Sequence, residues 1–196
     1  METQTFVFFG QVGSGKGTQV ELLMDYLKNK DASKEIVYGG TGEEFRKMLV
    51  SDNYTAKLIK ESMNRGELLP DFLTTSLFTN ILISSLDDQK HLVADGYPRT
   101  VLQSENFEQI MEFFKRDNVK IIYIELSEAE AMKRNLLRGR ADDTEEGLKK
   151  RFHEYENKVI PAMDYFKGKA GYQILTINGE QSIEDVHKDI IKALNF

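Results

Sequence analysis

The chain has 196 residues, 40% of them hydrophobic, and its 32 acidic side chains outnumber 26 Lys plus Arg, for a formal charge of −6. That length suits one domain with small inserts rather than a two-domain tandem, and the negative field disfavours nucleic acid as a partner. The lack of cysteine excludes disulfides and thiolate zinc sites; with no apolar run long enough to span a membrane and no basic leader ahead of Thr5, the expectation is a soluble, unprocessed, cytoplasmic protein that handles small anionic ligands.

Thr5 to Phe9 is an apolar, aromatic and β-branched run ending at Gly10, the pattern of a buried strand stopping at a turn. A helix is predicted from Gly15, with Val20, Leu22, Leu23, Tyr26 and Leu27 at helical spacing, closing in the polar stretch Lys28 to Lys34. Further strands are predicted at Glu35 to Tyr38, His91 to Ala94, Lys120 to Leu126 and Tyr172 to Ile177, with helical pattern between them. Such alternation predicts an α/β fold: a five-stranded parallel sheet with helices on both faces. About fifty residues separate the second strand from the third, more than a single crossover needs, so an insert is expected there. Gly42 to Val50, Tyr54 to Arg65 and Leu73 to Leu86 read as helices, with Gly66 and Pro70 breaking the last two apart. The first two of these form the expected helical substrate module.

Gly10-Gln11-Val12-Gly13-Ser14-Gly15-Lys16-Gly17-Thr18 follows the first strand and opens the first long helix, the setting of a phosphate-binding loop and of the P-loop NTPase fold. Glycines let the backbone approach closely, successive N–H groups turn inward and the helix N-terminus adds positive charge, so a polyphosphate is held by fixed dipoles. Gly13, Ser14, Gly15, Lys16, Gly17 and Thr18 are therefore the candidate residues of the loop for binding a nucleoside triphosphate, Lys16 reaching the β- and γ-phosphates. The residue after the lysine is Gly17 rather than the usual Ser or Thr. Mg²⁺ accompanying the triphosphate is then expected to rest on phosphate oxygens and water, with Asp95, at the carboxyl end of the third strand, as its partner through water.

With Asp95-Gly96-Tyr97-Pro98-Arg99-Thr100, Thr41-Gly42-Glu43-Glu44-Phe45-Arg46 and Gly66-Glu67-Leu68-Leu69-Pro70-Asp71 added to the loop, four motifs stand in the order found in one family. The chain resembles the nucleoside monophosphate kinases, most closely the adenylate kinases, and the resemblance extends through the arginine-bearing segment 134–151 to Ile177-Asn178-Gly179. It implies reversible transfer of the γ-phosphoryl group from ATP to AMP, giving two ADP, by a monomeric enzyme. The resemblance further implies a core of 1–39, 71–138 and 144–196, an AMP-binding insert at 40–70 and a vestigial lid at 139–143.

Carried over by motif, Thr41 and Gln103 face the adenine of AMP, Arg46 and Arg99 clamp its phosphate, the backbone of Glu67, Leu68 and Leu69 floors the pocket, and Gly96, Tyr97 and Pro98 complete it. Arg134 and Gln181 fall at the ATP side, Arg134 packing on its adenine. Arg138 contacts the γ-phosphate, while Arg140 and Arg151 line the transfer site and also reach AMP. Paired arginine donors can fix an acceptor oxygen in line with the γ-phosphorus, and stacked or bidentate contacts favour Arg over Lys. Positive groups then stabilise the migrating charge with no protein nucleophile.

Three departures from the family matter. Gly40 stands for the usual Ser and loses a hydroxyl that could cap the following helix, Glu43 stands for the usual Asp, and the connection from Arg138 to the helix start at Thr144 omits the lid insert of tens of residues found in many members. A loop that short is expected to exclude water less completely, permitting ATP hydrolysis without AMP. His91, His153 and His187 read as structural or solvated, the acidic run Asp142, Asp143, Glu145 and Glu146 as a solvated loop and helix start, and the pairs Phe8-Phe9 and Phe113-Phe114 as core. Two rival readings remain: a UMP/CMP kinase on the same fold, and a nucleotide-binding switch without turnover.

Overall fold

A computed structural model of the chain describes residues 2–139 and 144–196. Its five strands are β1 (Thr5–Phe9), β2 (Ile36–Gly40), β3 (His91–Asp95), β4 (Val119–Glu125) and β5 (Tyr172–Asn178). All pair in parallel, in the spatial order β2-β3-β1-β4-β5. Every connection is therefore a crossover. The helices that make them are α1 (Lys16–Lys30), α2 (Thr41–Met48), α3 (Tyr54–Asn64), α4 (Asp71–Ser85), α5 (Val101–Phe113), α6 (Glu128–Arg138), α7 (Glu145–Glu154) and α8 (Ile160–Asp164), and α9 (Ile183–Leu194) follows the last strand.

The period-2 alternation of β1 distributes four consecutive large side chains between two cores. Val7 and Phe9 enter a cluster with Phe78, Leu82, Phe107, Met111 and Phe166 beneath α4, α5 and α8, whereas Phe6 and Phe8 enter another with Leu23, Leu27, Val186 and Ile190 beneath α1 and α9. A parallel sheet covered on both faces requires such near-continuous apolar strands. Phe8 and Phe9 are core residues, but Phe113 is 79% exposed; only Phe114 packs on the core, so that aromatic pair is divided between core and surface.

The strand β2 runs two residues past its apolar stretch, through Gly39 and Gly40 to pair Gly40 with Asp95. Glycines in a strand mark close approach of a neighbour, and here the neighbours are large rings. A Cβ at Gly39 would come within 2.6 Å of the Phe78 ring, and one at Gly40 would overlap the ring of Tyr38. Between β2 and β3, α2 and α3 precede α4, as the excess length predicted. From α7 the chain passes through a π-helical turn, Tyr155–Val159, into α8, with Pro161 in the first turn of α8. Proline has no N–H to return to the preceding helix, and a widened turn just before it accommodates that loss. No described helix is long and apolar enough to cross a membrane.

Candidate active site

All the parallel strands point their carboxyl ends the same way, and one cleft of about 630 Å³ opens there. Loops leaving strand ends at a sheet's carboxyl edge are where open α/β folds bind ligands. The first wall is the loop after β1. Gly10, Gly13 and Gly15 all take positive φ, and Ser14 N–H closes an internal turn on the Gln11 carbonyl at 3.2 Å. Gln11 anchors the loop to the neighbouring strand end by donating Nε2 to the Leu126 carbonyl at 2.6 Å. Gly13 has no room for a side chain, because a Cβ there would overlap the amide of Asn135 on α6. Helix α1 begins at Lys16 behind the left-handed Gly15 with no side-chain cap, which leaves its first N–H groups directed at the cleft. The hydroxyl of Ser14 is buried without a partner.

Lys16 donates Nζ to the carbonyls of Gly10 and Gln11, the latter at 3.1 Å. Enclosure of its ammonium lowers the pKa from 10.5 to about 8; Asp95 opposes the shift, and Arg99 and Arg138 add to it. Arg99 is likewise held below its ordinary range, chiefly by burial, with Asp95 opposing and Arg151 and Arg46 adding repulsion. Lys16, Arg46, Arg99, Arg138 and Arg151 all line the cleft and several feel one another across it, and the Asp95 carboxylate acts on both Lys16 and Arg99. Cations gathered this closely repel one another and favour an anionic ligand.

The opposite wall comes from the β2–α2 and β3–α5 junctions and from residues 66–69. Thr41 is buried and donates its hydroxyl to the Gly96 carbonyl at 3.0 Å, tying the two junctions together. Gln103 accepts from the Arg99 N–H at 2.8 Å and donates to Asp71 at 2.8 Å. Glu67, Leu68 and Leu69 line the cleft, while the Glu67 carboxylate turns aside to Arg65 at 2.9 Å. Arg134, at the other end, donates to Glu130 at 2.9 Å and to the Gly179 carbonyl at 3.0 Å, so its guanidinium forms a fixed plate at the cleft edge.

The adenylate kinase family model matches residues 8–171, which contain both walls of the cleft. The chain belongs to the adenylate kinase family. It is 33% identical over 193 residues to an adenylate kinase of Bacteroides fragilis, covering 96% of this chain and 97% of that one. An adenylate kinase of Prochlorococcus marinus (strain MIT 9301) is 32% identical over 184 residues, 94% of each chain, and adenylate kinase 1 of Nostoc sp. is 29% identical over 188 residues, 96% of this chain and 97% of that one. As a member of this adenylate kinase family the chain is a nucleotide-binding kinase.

Gly13, Ser14, Gly15, Lys16, Gly17, Thr18, Thr41, Arg46, Gly96, Pro98, Arg99, Gln103, Arg134, Arg138 and Arg151 all line the cleft. Two expected residues do not. Tyr97 is 1% exposed, stacks on Phe78 with centroids 4.5 Å apart and meets Thr75 through its hydroxyl at 3.2 Å, so it supports this wall of the cleft from within the core. Gln181 spends its amide on the Asn178 carbonyl at 3.1 Å and on Asp189 at 2.8 Å, outside the cleft. Arg140, with most of the segment expected as a lid, lies outside the described residues.

The structure adds two residues that motif reading missed. Asn135, on α6, is fully buried against Gly13 of the P-loop, with its Oδ1 unpartnered and its Nδ2 donated to the Ala131 carbonyl at 2.7 Å. An amide on the apolar side of an amphipathic helix was the available sequence signal. Tyr38 places its hydroxyl 3.4 Å from the Asp95 carboxylate as donor, its own pKa driven up by burial and by that acid. The ring fills the space a side chain at residue 40 would occupy. The missing serine hydroxyl at that position therefore reflects room given to Tyr38, beyond the loss of a helix cap.

Proposed function

We propose that the protein catalyses ATP + AMP = 2 ADP, with magnesium accompanying ATP, as a monomer of the cytoplasm. The observation that carries this reading is the cation cluster at the middle of the cleft: Lys16 and Arg138 from the P-loop side and Arg46, Arg99 and Arg151 from the acceptor side surround the position where two phosphate chains would meet. Phosphoryl transfer demands positioning and charge stabilisation more than covalent help from the protein. ATP would lie with its phosphates on the loop 10–18 and its adenine against the Arg134 plate. AMP would occupy the insert 40–70 together with Arg99 and Gln103, its phosphate between Arg46 and Arg99.

Roles follow from the chemistry of each group. The N–H groups at the start of α1 and the unpartnered Ser14 hydroxyl are donors for the β-phosphate oxygens. Lys16 would leave its carbonyl partners for the β- and γ-oxygens, while Arg138 and Arg151 stabilise the charge that spreads over the migrating group. Asp95 fits a water-mediated magnesium partner: it is half-buried at a strand end, lines the cleft and faces Lys16. Among the described residues no three His, Cys, Asp or Glu side chains converge as a metal cage, so phosphate oxygens and water would complete such a shell. Bound with ATP, magnesium would neutralise the β- and γ-oxygens. Gly139 and residues 140–143 would form the short lid.

A coupled assay for ATP formation from ADP tests the reaction, with Lys16→Met and Arg99→Ala as controls. Each substitution is expected to lower kcat/KM by roughly 10² or more, the scale of losing one transition-state donor. Full activity in both would refute the site, and an inactive native protein would favour a binding switch. Acceptor competition decides the base: CMP or UMP outrunning AMP in kcat/KM would make the protein a pyrimidine nucleotide kinase.

A further inference from the structure

We infer that Asp71 sets adenine selectivity by locking the side-chain amide of Gln103 in one orientation. The inference rests on the reading of AMP as acceptor. Gln103 is 1% exposed and lines the acceptor wall, and two partners of fixed polarity hold its amide. The backbone N–H of Arg99 can only donate, so the group it meets at 2.8 Å is Oε1. The Asp71 carboxylate can only accept, so the group donating to it at 2.8 Å is Nε2. Asp71 is itself fixed. The same Oδ1 takes the Thr100 hydroxyl proton at 2.9 Å, and Thr100 accepts the Gln103 backbone N–H at 3.2 Å as cap of α5. Asp71 does not line the cleft; it is a positioning residue behind Gln103.

An amide held this way still offers the cleft one N–H on nitrogen and one lone pair on oxygen. Adenine presents an acceptor at N1 beside a donor at N6, which matches that pair in one order. A 6-oxopurine presents a donor at N1 beside an acceptor at O6, which needs the amide turned by 180°. A free glutamine could make that turn and serve both bases. For Gln103 the turn would oppose its carbonyl to the Asp71 carboxylate and its NH₂ to the Arg99 N–H. Two mismatched buried pairs are a strong basis for rejection, because buried polar groups left unpaired discriminate far more steeply than a change of shape. Of the two restraints the charged one is the stronger.

Isothermal titration and initial rates with AMP and inosine monophosphate, which carries the 6-oxo edge without the guanine amino group, test the lock. The native protein should prefer AMP by at least about a hundredfold in both Kd and kcat/KM. Asp71→Ala should cut that ratio at least about tenfold, through tighter inosine monophosphate relative to AMP, whereas Asp71→Asn, which keeps a carbonyl oxygen for Gln103 and Thr100, should hold the ratio within about threefold of native. A merely structural role would weaken both nucleotides together. An unchanged ratio in Asp71→Ala, or a native preference below about tenfold, would overturn the inference. If Asp71→Ala does not fold, Asp71→Ser removes the long-reaching acceptor while keeping a residue suited to a helix's first turn, and the same ratio is read. Preference of the native protein for CMP or UMP would instead refute the acceptor assignment on which the lock depends.

Discussion

At the scale of single residues, Lys16 links the resting site to its ligand. With its ammonium under the loop carbonyls and its pKa near 8, it loses its charge at a pH where a free lysine keeps it. Arriving phosphates favour the ammonium form, so ATP binding draws a proton from solvent once the pH exceeds about 8. The expected outcome is proton uptake on binding and weakening ATP affinity as pH rises from 8 toward 10, read by titration calorimetry in buffers of different ionisation enthalpy; Lys16→Met should abolish the uptake. The same shift acts on stability with a definite sign. Between about 8 and 10.5 the unfolded chain holds this proton and the folded one does not, so the cost of burying Lys16 is relieved as pH increases through that window.

At the scale of elements, the junction from β2 to α2 shows how a loss in one side chain makes room for another. Gly39 and Gly40 admit the Phe78 and Tyr38 rings, Phe78 stacks on Tyr97, and Tyr38 reaches Asp95. Gly40 takes φ −87°, which any residue tolerates, so the obstacle to a side chain there is the ring alone. Gly40→Ser is therefore expected to destabilise by about 1–3 kcal/mol, the cost of overpacking, or roughly 3–10 °C in Tm. In a Tyr38→Ala background the same serine should cost less than about 0.5 kcal/mol. Thermal melts of the four proteins check this, and an equal cost in both backgrounds would rule out the steric account.

At the scale of the whole molecule, the insert 40–70 and α7 already meet: a Cβ at Gly66 would lie 3.1 Å from the Gly147 carbonyl and 3.6 Å from Arg151. On the proposed function, closure over an acceptor would begin from that existing contact. In sequence only residues 139–144 separate α6 from α7. ATP hydrolysis without AMP is accordingly expected to run severalfold faster than in a family member with a lid of tens of residues, measured as steady-state phosphate release. No excess over such an enzyme would count against the role given to lid length.

The P-loop, the order of the four motifs and the alternation of strand and helix were legible along the chain, because each depends on neighbours in sequence: a glycine pattern, a strand before it, a helix after it. Long-range partners were not. Tyr97 shares a motif with Pro98 and Arg99 yet turns into the core, since Phe78 and Thr75 from α4 hold it there. Gln181 follows the Asn178-Gly179 turn but is taken by Asp189 across α9. The grip of Asp71 on Gln103 joins residues 32 positions apart, and the place of Tyr38 beside Asp95 depends on β2 pairing with β3. Local chemistry named the residue types of the site; which polar atoms they spend on one another, and which they keep for a ligand, was decided by how the elements pack.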